Sequence, residues 1–427
     1  MPERPVIVVV YDKGSASVID IIDGLAPLGS PVLALWPSEH TDDVGPLAEE
    51  LAPVVRLDAQ DHDASAALLR AHAPDAILTF SETKLAVTAE LAERLGLPYH
   101  TPATVELLRD KYAQRSRLRE HGVDSVRSYR LTRPEDWTGA LAAVGLPAVL
   151  KPSSGQGSRS THLVEDAQEG AELARLLLTG PDAETSLVLE EYLTGRDCAP
   201  YGDYVSVESA VSGGRISHWA VTGKFPLAPP FREVGNLRPA VLPEDERAAA
   251  LDTVTAALQA LDITTGVSHT ELKLTPDGPR IIEVNGRLGG WQTQLARLSG
   301  ELRPVELAGR VALGEDVSHV QADERRVVFS WCVPAPSDGG TYLAVHGLRA
   351  VLALEGVENV IIPHSTGDRL PAGVQSSELA WVEAVAPDHD AMFRLVDQVL
   401  AVLSFTVEGP DGQPRTVAAG RPAVPVS

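Results

Sequence analysis

Two carboxylates, one carboxamide and one guanidinium are the residues of this chain most able to do chemistry together. Glu271 precedes a turn, and Glu283, Asn285 and Arg287 follow it at intervals of two residues. Carboxylate and amide oxygens are hard ligands of the kind that Mg²⁺ prefers, and phosphate oxygens can complete its octahedron. The spacing therefore predicts a metal site at Glu271, Glu283 and Asn285. Arg287, just beyond, could hold a developing anion.

Two paired strands must position these side chains. The segment 275–279, Thr-Pro-Asp-Gly-Pro, has the composition of a hairpin turn, so it would bring Glu271 opposite the second strand. Alternate residues of a strand share a face, which predicts that Ile282 and Val284 enter the buried face opposite the carboxylates. Any one of these acids could be a solvated hairpin residue. The complete set favours a site, because buried charges are costly unless they are paired or bound to metal.

A second candidate lies upstream, where a predicted strand over 148–150 ends in Lys151 and a loop rich in Gly and Ser. The ammonium of Lys151 and the exposed backbone N–H groups of a loop containing Ser153 and Ser158 suit triphosphate oxygens. The loop is not a Walker A motif, since no Gly-Lys-Ser/Thr follows the glycines. Alone it is equally consistent with a surface hairpin. Its position upstream of the carboxylate hairpin favours nucleotide binding.

Composition limits the class of protein. The chain has 427 residues, 44% of them hydrophobic, enough for about three ordinary domains. A formal net charge of −23 argues against nucleic acid or an anionic membrane as a partner. The two cysteines, Cys198 and Cys332, lie in no metal-ligand spacing, and we expect neither a disulfide framework nor a zinc site. Without a cleavage signal or a long apolar run, the expectation is a cytoplasmic protein with reduced thiols.

The first hundred residues predict an α/β domain. Apolar runs at 6–10, 32–35 and 76–78 are typical of strands buried on both faces, and helical patterns separate them. The turn at 12–15 lacks the spaced glycines of a dinucleotide site, so we do not expect NAD. Glu82 follows the third run, at the edge where open α/β sheets bind ligands. A helix N-terminal carboxylate is an equally good interpretation of Glu82.

The central region predicts a succession of further elements. From about residue 104 the sequence pattern predicts a helix that carries Asp110-Lys111-Tyr112. Further along the chain, an apolar strand ends in Glu190 and Glu191. The predicted elements are a strand at 128–131, a hairpin formed by 204–211 and 216–222, and an amphipathic helix at 246–261. The segment 223–236 is too rich in Pro and Gly for an element, and long irregular segments in compact domains are usually functional or disordered.

The last hundred residues predict a smaller α+β domain. The patterns indicate strands at 327–333, 348–354 and 379–385, and an amphipathic helix at 389–405. The tail from Gly409 is rich in Pro, Gly and small residues, which predicts loose order.

The combination Glu271 with Glu283-x-Asn285-x-Arg287 resembles the metal-binding hairpin of the ATP-grasp superfamily, which includes biotin carboxylase, D-alanine:D-alanine ligase and the L-amino acid ligases. Gly289-Gly290-Trp291 after the arginine is similar to the L-amino acid ligase branch. Departures exist: the loop around Cys198 and Pro200 does not show the biotin carboxylase pattern.

The resemblance implies both a fold and a division into domains. The fold class is α/β and α+β, with an ATP-grasp fold. The implied domains are a Rossmann-like pre-ATP-grasp domain over 1–103, an ATP-grasp core over 104–315 and a C-terminal α+β domain over 316–427. Within the core, the lid subdomain would cover about 104–185 and the metal-binding subdomain about 186–315.

The resemblance also implies roles for individual residues. Arg287 and Lys151 would be catalytic, and Glu271, Glu283 and Asn285 would hold the metal. ATP would be bound by Lys111, Lys151, Ser153, Ser158, Glu190, Glu191 and Leu193. The substrate would be bound by Glu82, Glu233, Arg287, Gly290 and Trp291.

Two of these substrate residues have alternative interpretations. Glu233 belongs to a Phe-x-Glu-x-Gly segment that lines the pocket in the amino acid ligase branch, where it could hold a substrate ammonium. It could also be a solvated loop acid. Trp291 could limit the size of the acyl donor, or it could be ordinary core packing.

The activity implied is an ATP-dependent carboxylate–amine ligase. ATP and Mg²⁺, with Mn²⁺ as an alternative ion, would convert a carboxylate to an acyl phosphate, and an amine would then attack it. The implied partners are small-molecule amino acids, joined into a dipeptide-like amide, as in the biosynthesis of specialised metabolites. Related enzymes are commonly dimers, which makes a homodimer one option for an oligomeric state that the sequence leaves open.

Three other activities stay open. One is a biotin carboxylase-like enzyme that activates bicarbonate. Another is an amine ligase that uses a carboxylate other than an amino acid. The third is a nucleotide-binding regulatory protein without turnover, which the complete set of metal ligands and both lysines argue against.

Overall fold

The computed structural model describes residues 4–300, 303–373 and 377–420. The fold class expected from the sequence is confirmed, with mixed α/β and α+β layers. Among these residues, no helix combines the length and apolar character needed to cross a membrane.

The first sheet is parallel and forms from the apolar runs near the N-terminus. Side chains of β1 alternate between two hydrophobic clusters, with Ile7 and Val9 in one and Val8 and Val10 in the other. The strand order is β3-β2-β1-β4. The elements are β1 (Val6–Tyr11), α1 (Val18–Leu25), β2 (Ser30–Leu35), α2 (Glu39–Leu51), β3 (Val54–Arg56), α3 (His62–Arg70), β4 (Ala76–Leu78) and α4 (Leu85–Leu95). The three predicted strands are confirmed, and β3 is additional.

Two helices then lead into the central region: α5 (Pro102–Arg109) and α6 (Lys111–Glu120). Asp110 separates them, and its carboxylate caps α6 by accepting a hydrogen bond from the backbone N–H of Ala113 at 2.8 Å. Lys111 is therefore the first residue of α6, where its side chain is free to reach beyond the helix.

A small antiparallel sheet follows, with strand order β5-β8-β6-β7. Lys151 lies near the end of β6, and Glu190 and Glu191 end the neighbouring strand β8. The elements are β5 (Ser128–Leu131), α7 (Trp137–Val144), β6 (Ala148–Pro152), β7 (His162–Val164), α8 (Ala167–Thr179) and β8 (Leu187–Glu191). The predicted strand at 128–131 is confirmed.

A large sheet supplies the other half of the central region. Its elements up to residue 312 are β9 (Tyr204–Ser212), β10 (Arg215–Lys224), β11 (Gly235–Arg238), α9 (Glu244–Ala260), β12 (Gly266–Thr275), β13 (Gly278–Asn285), α10 (Gln292–Ser299) and α11 (Pro304–Ala312). The predicted hairpin and amphipathic helix are confirmed. The irregular segment is shorter than expected, because β10 extends to Lys224 and β11 begins at Gly235.

The C-terminal elements are β14 (Val327–Pro334), β15 (Gly340–His346), α12 (Leu348–Leu352), β16 (Val357–Ile361), β17 (Arg369–Leu370), β18 (Glu378–Ala386), α13 (His389–Val402), β19 (Ser404–Glu408) and β20 (Pro414–Ala418). Three of these strands join the large sheet, whose order is β13-β12-β9-β10-β11-β14-β18-β16. Strands β17, β15, β19 and β20 form a separate four-stranded sheet. The large sheet thus runs without interruption across residue 316.

Three C-terminal expectations are wrong in detail. The segment 348–354 is mainly the helix α12 rather than a strand, since Leu, Ala and Arg favour a helix and Gly347 precedes it with φ +79°. The helix expected over 389–405 ends at Val402, and β19 then begins at Ser404. The tail expected to be loose forms β20 on β19, and residues 421–427 lie outside the described part.

The carboxylate hairpin contains an irregularity that the strand pattern did not predict. Glu271 pairs with Glu283, but the next pair is Leu272 with Ile281, so Ile282 is an extra residue in β13. Ile281 is therefore the side chain that packs in the core, while Ile282 lines a cavity beside the carboxylates. The expectation that Ile282 enters the buried face is wrong for this reason.

The bulge predicts opposite outcomes for two adjacent isoleucines. Ile281→Ala removes a fully buried side chain, and we expect the free energy of unfolding to fall by about 2–5 kcal/mol. Ile282→Ala, at a cavity wall, should cost much less. Denaturant unfolding of both variants measures the difference, and equal losses would contradict the bulge register.

Candidate functional site

A cavity of about 460 Å³ separates the small sheet from the large one. It brings together most of the residues that the sequence singled out. Those that line it are Lys111, Lys151, Ser158, Glu190, Glu191, Leu193, Glu233, Glu271, Glu283, Asn285, Arg287 and Gly290. The lining residues do not include Glu82, Ser153 or Trp291.

The wall formed by the large sheet carries the two predicted metal-binding carboxylates. Glu271 and Glu283 are directly paired across β12 and β13, so their side chains point to the same face. Like charges at directly opposed positions repel, and the arrangement needs positive charge nearby. Lys111 Nζ lies 2.8 Å from Glu283 Oε1, and His269 Nε2 lies 3.3 Å from Glu271 Oε1.

The pKa of Glu271 shows that nearby positive charge outweighs burial. Burial by itself would raise the pKa, but the hydrogen bond from His269 and the charge of Lys224 lower it to about 2. Glu271 is therefore a carboxylate at neutral pH, as a metal ligand must be.

The donor set fits an ion that is shared with a phosphate. Asn285 lies two residues beyond Glu283 and adds an amide oxygen to the two carboxylates. Within the described ranges, no cluster of three or more His, Cys, Asp or Glu side chains could hold a metal by itself. Mg²⁺ commonly takes one or two carboxylates and completes its octahedron with water and substrate phosphate. The residues present match that pattern.

The opposite wall presents the predicted phosphate-binding groups. Lys151 Nζ lies 2.8 Å from Glu190 Oε2, and burial is outweighed by Arg115 and Lys151 so that the pKa of Glu190 falls to about 2. The loop after β6 has positive φ at Gly155, Gly157 and Ser158. Such conformations turn successive N–H groups toward one concave side, which suits an anion.

Lys111 connects the two walls. Its backbone N–H donates to the Ser153 carbonyl at 2.8 Å and its Nζ donates to the Gly155 carbonyl at 2.8 Å, while the same Nζ pairs with Glu283. Burial opposes its charge, but Glu283 outweighs burial and raises the pKa of Lys111. Ser153 contributes its backbone here, since its hydroxyl is buried and lies outside the cavity lining.

The N-terminal domain supplies one side chain to this region. Glu82 Oε2 lies 2.9 Å from Arg287 Nε, and both side chains are about 10% exposed. Burial raises the pKa of Glu82, although the charge of Arg287 opposes that effect. Glu82 therefore positions Arg287 from outside the lining.

Two other predicted residues make contacts that the sequence did not suggest. Glu233 Oε1 lies 2.6 Å from Lys224 Nζ, so its carboxylate already has a cationic partner. Trp291 has φ +69° immediately before α10, and its ring packs edge-on against Trp381 with centroids 4.9 Å apart. The backbone of Gly290, and not the ring of Trp291, reaches the cavity wall.

The part of the chain that forms this cavity resembles a known protein family. Residues 144–294, which hold the phosphate-binding loop and the carboxylate hairpin, match the family model of the ATP-grasp domain. Residues 144–294 therefore form an ATP-grasp domain. The relatives described next extend the similarity beyond that domain.

Alanine–anticapsin ligase of Bacillus subtilis is 28% identical to this ATP-grasp protein over 298 residues, which are 66% of this chain and 60% of that ligase. Carnosine synthase 1 of Gallus gallus is 31% identical over 244 residues, 51% of this chain and 25% of that protein. The chain therefore matches less than two thirds of the length of either relative. The crystal structure of L-amino acid ligase from Bacillus licheniformis superposes with a TM-score of 0.77 and 22% identity, covering 95% of this chain and 99% of that chain.

Sequence reasoning missed the residue that joins the two halves of this ATP-grasp site. Arg115 on α6 is buried and donates to the carbonyls of Ile281 and Ile282 at 2.7 and 2.9 Å. It also lies 3.3 Å from Glu190 and 3.5 Å from Asp124. Its one sequence signal, an arginine on an otherwise polar helix, does not distinguish it from a solvated residue.

Arg115 should therefore matter far more for stability than its neighbour on the same helix. Arg115→Met leaves Glu190 and two carbonyls without this partner, and we expect a loss of about 3–5 kcal/mol in the free energy of unfolding. Arg117→Met removes a pair with the largely exposed carboxylate of Asp262 and should cost about 1 kcal/mol or less. Denaturant unfolding with both variants tests this, and similar losses would be evidence against a joining role.

Proposed function

We propose that the protein is an ATP-dependent carboxylate–amine ligase that joins two amino acids, or close analogues, through an acyl phosphate. The observation that carries the proposal is the pairing of two cavity walls. Glu271, Glu283 and Asn285 lie on one wall, Lys151 lies on the other, and Lys111 connects the two. That arrangement suits the transfer of a phosphoryl group between two anions.

Phosphoryl transfer depends mainly on positioning and on neutralising charge. Mg²⁺ bound with ATP would supply positive charge at the transferring phosphate, and Glu271, Glu283 and Asn285 are the residues that would hold it. Lys111 and Lys151 are the cations that the chain itself adds. Lys111 pairs with Glu283 and Lys151 pairs with Glu190, each at 2.8 Å.

The first bond to form would join a substrate carboxylate oxygen to the γ-phosphorus, while the bond to ADP breaks. The amine nitrogen of the second substrate would then attack the acyl carbon, forming the amide as the acyl–phosphate C–O bond breaks and the amine loses a proton. Arg287, held by Glu82 and by a hydrogen bond to the Leu288 carbonyl at 2.8 Å, is placed to stabilise the developing anion.

Amino acid substrates are supported by the relatives and by charge. One relative is named as a ligase of alanine and anticapsin, and another as a carnosine synthase. Glu233 lies at the cavity wall and offers a carboxylate to a substrate ammonium, with Lys224 fixing its position. Trp291 packs on Trp381 outside the lining, so we assign donor size selection to other residues.

The first test is phosphate release from Mg-ATP with pairs of amino acids. We expect release that depends on both members of a pair, ADP as the nucleotide product and a dipeptide-like amide detected by mass spectrometry. AMP as product would contradict the acyl phosphate. Release that depends on bicarbonate would favour a carboxylase instead.

A matched pair of variants separates the site from the hairpin that carries it. Glu283→Gln removes one charge from the metal wall, and we expect the rate of phosphate release to fall by at least about 100-fold, since electrostatic contributions of this kind are worth several kcal/mol. Asp277→Asn makes the same change in the exposed turn of the hairpin and should leave the rate unchanged. Equal rates for the two variants would refute a metal role for Glu283.

A further inference from the structure

A fully buried carboxylate, Glu208, lies beside the proposed metal ligands on the same face of the large sheet and has no role in the proposed function. Glu208 sits in the middle of β9 and has no exposed surface. It is directly paired with His269 on β12, and Ser206 is paired with Glu271 in the same way. These four side chains share one face of the large sheet.

Hydrogen bonds connect Glu208 to the metal wall. His269 Nδ1 donates to both carboxylate oxygens of Glu208, at 2.9 and 3.0 Å, and its Nε2 donates to Glu271 Oε1 at 3.3 Å. Both ring nitrogens of His269 lie within hydrogen-bond distance of a carboxylate, so the ring is fixed between Glu208 and Glu271.

A second branch connects Glu208 to the segment that follows Arg287. Gln292 is the first residue of α10 and donates from Nε2 to Glu208 Oε1 at 2.8 Å. The side-chain amide oxygen of Gln292, Oε1, accepts a hydrogen bond from Arg238. Gly289 packs directly on the His269 ring, since a Cβ there would lie 2.3 Å from Nδ1. The loop from Arg287 to Gln292 is thus held from both its middle and its end.

The cost of this arrangement indicates a use beyond stability. A buried ion pair often contributes little net stability compared with apolar residues of the same size, because both charges lose their hydration. Glu208 nevertheless satisfies hydrogen bonds from Ser206, His269 and Gln292. What its charge adds is orientation of groups on two separate elements.

We propose that Glu208 is a positioning residue that fixes the Glu271 carboxylate for metal binding through His269 and fixes the Arg287 loop through Gln292. The inference rests on the proposed function, because it assumes that Glu271 holds the divalent ion. Partners that orient ligands typically change metal affinity by 10–100-fold when they are removed.

The test measures Mn²⁺ binding directly, by electron paramagnetic resonance, in the presence of a non-hydrolysable ATP analogue. Glu208→Gln should raise the dissociation constant of Mn²⁺ by at least about 10-fold, while binding of the analogue in EDTA stays unchanged. Glu383→Gln is the matched control, because Glu383 is a buried carboxylate on β18 of the same sheet and bonds to Asn359. It should leave both affinities unchanged.

A second variant reaches the same histidine without altering Glu208. Gly289→Ala forces the His269 ring to move, because a Cβ there would lie 2.3 Å from Nδ1. We expect weaker Mn²⁺ binding for Gly289→Ala, with Glu383→Gln again as the unchanged control. This variant decides the question if Glu208→Gln does not fold.

The outcomes separate the inference from the function beneath it. Mn²⁺ affinity equal to wild type in both Glu208→Gln and Gly289→Ala would overturn the positioning role and leave the proposed ligase standing. Loss of analogue binding in EDTA together with metal binding would also overturn it, as a general structural defect. A wild-type protein that binds the analogue but no Mn²⁺ would overturn the proposed metal site, and the inference with it.

Discussion

The repulsion between two glutamates that face each other across a β-ladder is the constraint on which this site depends. Glu271 and Glu283 are opposed on neighbouring strands, where like charges destabilise a sheet. Side chains from separate parts of the chain offset this repulsion. Lys111 on α6 contacts Glu283, and His269 on the same sheet contacts Glu271. The charge balance of one pair of residues thus determines where a helix and a histidine must lie.

The same balance explains why buried charge is concentrated in this region. Arg115 and Lys151 both reach Glu190, and Arg115 also takes two carbonyls of the bulged strand. Each of these charges would be costly alone, and each has a partner from another element. The polar interior therefore ties the small sheet, α6 and the large sheet to one another around the cavity.

The chemistry of the site could be predicted from sequence where its residues are local. The carboxylate hairpin could be predicted because the turn residues at 275–279 and a spacing of two residues place Glu271, Glu283 and Asn285 on one face. The phosphate-binding role of Lys151 could be proposed because a strand ends at this residue and a Gly-rich loop begins after it. Three strands of the parallel N-terminal sheet could be predicted for a similar reason, since each contains a continuous apolar run, whereas the short strand β3, Val-Val-Arg, was not predicted.

Other features depend on partners that are distant in sequence, and these were not predicted. Glu208 and His269 are 61 residues apart in the sequence and pair across neighbouring strands. A single acidic residue in an apolar strand gives no indication of which residue it will contact. The bulge at Ile282 lies where Gln114 and Arg115 of α6 bond to the backbone of β13, and the alternation of residue types along the strand gives no sign of it. The position of Trp291 near Arg287 in the sequence left open whether its ring lines the donor pocket or packs in the core. Its backbone conformation turns the ring toward Trp381.

The continuity of the large sheet has a mechanical consequence. Because β11 pairs with β14 over four residue positions, the metal hairpin and the C-terminal strands β14, β18 and β16 belong to one continuous hydrogen-bonded sheet. The small sheet shares no strand pairing with it. The cavity therefore lies between two sheets that are joined by side-chain contacts through α6 and not by a shared β-ladder.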